Sequence, residues 1–239
     1  MALLPWRTGK VISLIDETLI TRRFRVEVTE LNSFDFIPGQ FITLDLPIDS
    51  KPNKRLRSYS IASWPDGTNS FELLIVLDKM GAGTQYIFNE LIIGSTLNFR
   101  GPQGVFRLKQ PVDNDLFMIC TGTGIAPFRS MLHYMKLKQI PHNNIYLVFG
   151  CRTKDDLLYY TEMKELEQIL AGFHYLPVLS RQQWEGRAGY VHHVYEDLCR
   201  DGKSSEFYLC GWRGMIDEAE KRIKDLGYDT KNIHKELYG

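Results

Sequence analysis

The chain has 239 residues, 44% hydrophobic and 24% charged, enough for one large domain or two small ones with separate cores. Its 29 basic and 29 acidic side chains cancel, which argues against a general nucleic-acid binder, since such proteins carry a basic excess. The four cysteines, Cys120, Cys151, Cys199 and Cys210, form no C-x-x-C pair, so neither a structural zinc site nor a chain-held iron–sulfur cluster is expected.

Residues 1–7 show no basic region followed by an apolar core, so no secretory leader is read there. No apolar run approaches the ~18 residues of a membrane span. A reducing cytoplasm is the expected setting. Short β-branched and aromatic runs follow at 11–14, 24–28, 41–46, 59–62, 71–77 and 97–100. Turn-formers such as Pro38-Gly39, Pro65-Asp66-Gly67 and Gly101-Pro102 separate them, which predicts an antiparallel barrel or sandwich. One helical piece interrupts near 84–91. After Pro111 strands and helices alternate. Strands are predicted at 116–120, 145–149, 175–179 and 207–210. A helix carries Phe128, Met131, Leu132 and Met135 at i, i+3, i+4, i+7, and others are expected at 157–170, 191–198 and from Met215 to Leu226. Alternation of this kind predicts a parallel sheet with helices on both sides. The fold class is therefore a β-barrel followed by an α/β domain, divided as 1–110 and 111–239.

Two stretches carry chemistry. In Arg57-Ser58-Tyr59-Ser60 an extended backbone puts Arg57 and Tyr59 on one face and the serines on the other. A guanidinium can fork onto a phosphate, a tyrosine can cover a flat ring, and Ser60 can donate to a ring heteroatom. An ordinary amphipathic strand has the same pattern. In Cys120-Thr121-Gly122-Thr123-Gly124-Ile125-Ala126-Pro127, glycines between a buried strand and a helix let backbone amides approach a diphosphate, and Pro127 suits a first helical turn. It is not G-x-G-x-x-G, because Pro127 stands where the third glycine would be, and a ligand-free β–α turn fits it too.

These two motifs, in this order, resemble the ferredoxin–NADP⁺ reductase family of flavoproteins. The resemblance extends to Gly81-Ala82-Gly83-Thr84, Gly101-Pro102-Gln103-Gly104-Val105-Phe106, and Phe149-Gly150-Cys151-Arg152 with Asp156 and Glu162. It continues through Cys210-Gly211-Trp212-Arg213-Gly214-Met215 to a terminal Glu236-Leu237-Tyr238. It implies a flavin barrel and a pyridine-nucleotide domain with the flavin at their junction. Arg57 would pair with the flavin diphosphate, with Ser58 beside it. Tyr59 would stack on the isoalloxazine, Ser60 would bond near N5, and Gly83 and Thr84 would hold the diphosphate. Thr121, Gly122, Thr123, Gly124, Pro127 and Arg152 would bind the nicotinamide nucleotide. Cys210, Gly211 and Met215 would border the hydride-transfer point, Cys210 as a shape-setting neighbour.

Ser180-Arg181, with Arg187 and Tyr190, is similar to the family's 2′-phosphate and adenine determinants, although the spacing around Gly186-Arg187-Ala188-Gly189-Tyr190 departs from the plant-type pattern. NADPH is therefore expected ahead of NADH. Glu236 and Tyr238 match the plant-type ending, in which a terminal tyrosine covers the flavin and a glutamate assists transfer. Here one glycine follows the tyrosine. Tyr238 is expected opposite Tyr59, moving aside for nicotinamide; a frayed tail is the plainer alternative. FAD is the family default over FMN. The basic run Lys51, Lys54, Arg55 and Arg57 would suit an acidic ferredoxin or flavodoxin, although a solvated loop explains it as well. Adjacent His192 and His193 point apart on a helix, so no metal pair is expected. Expectation thus settles on a monomeric, metal-free flavin reductase moving hydride from NADPH to FAD and electrons to a separate carrier. Its rivals are an NADH-dependent oxygenase component or cytochrome b5 reductase-like enzyme, and a non-catalytic flavin-binding subunit.

Overall fold

The computed structural model describes residues 4–200 and 202–238, so the first three residues of the leader reading lie outside it. Two units divide the chain. One comprises Met1–Leu108 with Arg129–Tyr134, the other Lys109–Phe128 with Met135–Gly239.

The first unit is an antiparallel sheet in the order β4-β3-β6-β1-β2-β5: β1 Arg7–Thr18, β2 Thr21–Glu27, β3 Phe41–Asp45, β4 Leu56–Ser60, β5 Ser70–Val76 and β6 Thr96–Gln103. Just past β4, Ile61 bridges Leu73 and the Ala62 N–H donates to the Glu72 carbonyl at 2.8 Å. The two end strands therefore meet, and the sheet closes into a barrel that leaves few open edges. Alternate positions turn Val11, Phe24, Val26, Ile42, Leu44, Phe71, Leu73 and Phe99 inward to a shared core. Helix α1, Ala82–Glu90, contributes Ile87 to that core. Arg129, buried, belongs to this unit and donates to the Ala62 carbonyl at 3.0 Å and the Glu72 carboxylate at 2.9 Å.

The second unit is a parallel sheet in the order β10-β9-β8-β7-β11-β12: β7 Asp115–Thr121, β8 Ile145–Cys151, β9 Phe173–Leu179, β10 Arg187–Ala188, β11 Ser205–Trp212 and β12 Ile233–Tyr238. The helices are α2 Ala126–Lys138, α3 Tyr160–Ile169, α4 Val191–Leu198 and α5 Arg213–Asp225. Residues Leu116 to Cys120 are all buried, as a strand covered on both faces requires. Phe117 and Ile119 share a cluster with Val191 and Tyr195 of α4 and with Ile216, Ala219 and Ile223 of α5. Three details differ from the sequence reading. Helix α3 starts at Tyr160, because Leu157 and Leu158 stay outside the helix and Tyr159 turns left-handed at φ 54°. A two-residue strand, β10, is added. The chain's last stretch is a strand, where a tail was one of the two readings. Among the described residues no helix is long and apolar enough to cross a membrane.

Candidate functional site

In the first unit β4 lies beside β3, with Leu44 opposite Arg57, Thr43 opposite Ser58, Ile42 opposite Tyr59 and Phe41 opposite Ser60. Tyr59 is half-buried against the barrel core, and burial pushes its phenol up to about 12, opposed by Arg57. Ser60 is buried, and the Ser58 hydroxyl sits 3.0 Å from that of Thr43. The Arg57 guanidinium donates to the carbonyls of Lys54 at 3.0 Å and Leu56 at 2.7 Å. Its stem lies directly over Gly83, where a Cβ would come within 3.0 Å of the Arg57 Cγ and Nε. Gly83 is thus needed for what it lacks as well as for its amide. The N-cap of α1, Gly81, brings no side-chain cap, so the first-turn N–H groups have no side-chain acceptor and point out with the helix dipole. The Thr84 hydroxyl turns inward, within bonding distance of the carbonyls of Asp78 (2.9 Å) and Gly81 (3.1 Å). What this turn offers outward is backbone amide.

In the second unit the chain leaves central β7 for β8 and β9, then returns to β11 on the other flank of β7. Strand order reverses at the carboxyl ends of β7 and β11, the place where open α/β sheets form a ligand crevice. Thr121 ends β7 there, residues Gly122–Ile125 form one 3-10 turn, and Pro127 sits in the first turn of α2. Gly122 is left-handed (φ 53°) with open space beside it. A Cβ on Gly124 would stand 2.4 Å from the Cys210 carbonyl, and one on Gly211 (φ 142°) 2.6 Å from the Thr121 hydroxyl. The two glycine turns therefore touch backbone to backbone. The Thr121 hydroxyl is buried with no partner, an unsatisfied donor at the end of the crevice.

Cys210 is fully buried, and burial pushes its thiol well up. The Glu236 charge adds to this, while a hydrogen bond with Tyr238 opposes it. A neutral thiol here is no nucleophile. Glu236 lies opposite Cys210 in the β11–β12 register and Tyr238 opposite Trp212. Met215 reaches Gly211, its Cε 3.2 Å from where a Cβ would be.

At the ends of β8 and β9, the Ser180 N–H and hydroxyl both reach the Cys151 carbonyl, at 2.9 and 3.2 Å, and the Arg181 N–H donates to the Arg152 carbonyl at 2.9 Å. Arg152, Ser180 and Arg181 thus sit together, both guanidiniums exposed. Arg187 opens β10 opposite Val178, and Tyr190, 65% exposed, precedes α4. Asp156 caps its own turn, accepting from the Thr153 N–H and hydroxyl at 2.9 and 2.8 Å, and is structural. His192 bonds the Tyr195 hydroxyl through Nδ1 at 2.9 Å, and no group of side chains among the described residues could hold a metal. The sequence reading missed Trp212 as an exposed indole (75%) at the end of β11, and no periodicity signals it.

A model for an oxidoreductase FAD-binding domain matches residues 10–108, and one for an oxidoreductase NAD-binding domain matches residues 118–221. The chain is 32% identical over 226 residues to ferredoxin–NADP reductase B of Sorangium cellulosum, covering 91% of each. It is 31% identical over 233 residues to the 2-halobenzoate 1,2-dioxygenase electron transfer component of Burkholderia cepacia, covering 97% of this chain and 67% of that one. The fold is that of a ferredoxin NADP⁺ reductase from Neisseria gonorrhoeae, solved with bound FAD and NADP: TM-score 0.82, 22% identity, covering 97% of this chain and 98% of that one.

Proposed function

The chain belongs to the ferredoxin–NADP⁺ reductase family of flavoprotein oxidoreductases, and from that premise we propose that it carries reducing equivalents from NADPH through FAD to a separate ferredoxin- or flavodoxin-type carrier. The observation that carries the reading is a pair of anion cradles, one in each unit. Arg57 lies over Gly83 at an uncapped helix start, and the Gly122–Ile125 turn opens onto an unpartnered Thr121 hydroxyl. The donor set fits FAD, which when bound supplies two-electron acceptance from the pyridine nucleotide and one-electron release to a carrier.

Arg57, the amides at Gly83 and Thr84, and Ser58 hold the diphosphate half. Tyr59 offers a ring face, and Ser60 holds a proton donor at the flavin N5 position. Thr121, Gly122, Thr123, Gly124 and Pro127 take the nucleotide diphosphate. Arg152, Ser180, Arg181 and Arg187 take the 2′-phosphate, and Tyr190 covers the adenine. Cys210, Gly211 and Met215 shape the nicotinamide end without supplying a nucleophile. Glu236 relays a proton at that end, and Tyr238 gives way to the nicotinamide. We divide the domains at 110/111. The test is stopped-flow flavin bleaching by NADPH and NADH, then a carrier screen. Bleaching by NADPH at much the higher kcat/KM, with turnover on ferredoxin or flavodoxin, supports the proposal; a colourless protein that cannot be reconstituted overturns it.

The Burkholderia relative favours a second reading, an oxygenase reductase component. Preferential NADH oxidation with electrons delivered only to an oxygenase would select it.

A further inference from the structure

Between Arg181 and Arg187 the chain forms a loop whose only bulky aromatic is Trp184. The half-buried indole folds back over its own loop. Its Nε1–H donates to the Arg187 carbonyl at 2.7 Å. It lies against Gly186 so closely that a Cβ there would sit 2.3 Å from the ring, and its edge meets Tyr160 of α3 at 6.4 Å between centroids. The flanking residues are tied down as well. The Gln182 side chain accepts from the Lys154 N–H at 2.7 Å, and the Glu185 carboxylate pairs with the Lys154 ammonium at 2.8 Å. That pair occupies the loop's single carboxylate, and no carboxylate pairs with Arg152, Arg181 or Arg187 among the described residues. The loop is therefore built to present uncompensated guanidiniums, with its acid tethered to Lys154.

Resting on the NADPH reading above, we propose that Trp184 is a positioning residue for coenzyme choice: its bond to the Arg187 carbonyl and its seat on Gly186 fix the loop so that Arg187 meets the 2′-phosphate. Trp184 does not touch the coenzyme. It acts by removing the ordering cost that an otherwise free arginine on an open loop would carry into binding.

The experiment uses the flavin-loaded full chain and two variants that disturb the seat differently. Trp184→Phe keeps a ring and removes the N–H. Gly186→Ala keeps the N–H and displaces the indole. The probes are 2′,5′-ADP and 5′-AMP by calorimetry, with steady-state kinetics on NADPH and NADH. For both variants, 2′,5′-ADP affinity and NADPH kcat/KM are expected to fall about five- to tenfold, in KM rather than kcat, as loss of one well-made hydrogen bond and its ordering predicts. Binding of 5′-AMP and NADH kinetics stay within about twofold of wild type. A parallel loss for both probes would mean a merely structural tryptophan and overturns the inference. So does wild-type discrimination in both variants. If wild type itself binds the two probes equally, the NADPH reading has failed first, and the two failures are told apart by that measurement alone.

Discussion

The two units bind, on the reading above, the same chemical feature, a diphosphate, with different shares of side chain and backbone. In the barrel a side chain joins the backbone: Arg57 projects from β4 over Gly83, whose amide, with that of Thr84, faces outward at an uncapped helix start. In the α/β unit the work falls to backbone. Gly124 and Gly211 are packed against the Cys210 carbonyl and the Thr121 hydroxyl, with no room for a methyl group. A side-chain site can be weakened in steps, one contact at a time. A backbone site fails when a single Cβ is added.

The largest expected effect comes from breaking the backbone site. Gly124→Val drives two methyl groups toward the Cys210 carbonyl and is expected to weaken nucleotide binding by about 100-fold, ~2.7 kcal/mol. The flavin should stay bound, and equilibrium dialysis with absorbance at the flavin band reads both. Next is Arg57→Ala in the side-chain site. Loss of a charge-assisted contact worth about 1.5–3 kcal/mol raises the flavin Kd by about 10- to 100-fold, measured by apoprotein titration. A flavin Kd unchanged by Arg57→Ala would erase the contrast between the sites.

The third concerns the two thiols of the backbone site. Burial holds Cys120 and Cys210 well above the ordinary value of 9.0, so above about pH 9 the unfolded chain releases protons that the folded chain keeps. Stability is therefore unaffected by these groups below pH 9 and falls as pH rises past it, by about 1.4 kcal/mol per pH unit for each thiol. Cys120→Ala and Cys210→Ala should each flatten the slope of urea stability between pH 9 and 10.5. Ser60→Ala is expected to slow flavin reduction several-fold in stopped flow while leaving flavin affinity nearly unchanged, the reverse of Arg57→Ala. The smallest shift is for truncation before Tyr238. Nicotinamide affinity should tighten a few-fold, and unchanged affinity would count against Tyr238 as the residue that gives way.

The barrel strands and the βα alternation were legible because period-2 and period-3.6 patterns report burial directly. The Gly122–Pro127 turn was legible as a strand-to-helix turn because its glycines follow a continuous apolar run and precede a helix-period pattern, although a ligand-free turn fits the same residues. What escaped was anything decided by register. Ile233–Tyr238 carries His234, Lys235 and Glu236 in a row, a run that signals no strand, yet pairing along β11 from Phe207 to Trp212 makes it one. Arg187–Ala188 is too short for any pattern. The sequence offers Gly83 as an amide donor at a helix start, but its clearance under Arg57 is a tertiary fact, as is the inward turn of the Thr84 hydroxyl. Arg129 interrupts an apolar helix face, and only the structure shows its partners, Ala62 and Glu72.

Strand β11 meets β7 with Ser205 beside Asp115, 90 residues apart, and β6 meets β1 with Phe99 beside Arg7, 92 residues apart. Neither sheet is complete until its most distant partners in sequence have found each other. Closure of such long loops must precede any energetic reward from the contacts they create, which places folding of both units toward the slow end for domains of their size. Until then Leu116–Cys120 presents an unpaired apolar edge. The same central strand that ends at the Gly122–Ile125 turn is thereby a segment exposed to aggregation while the chain is folding.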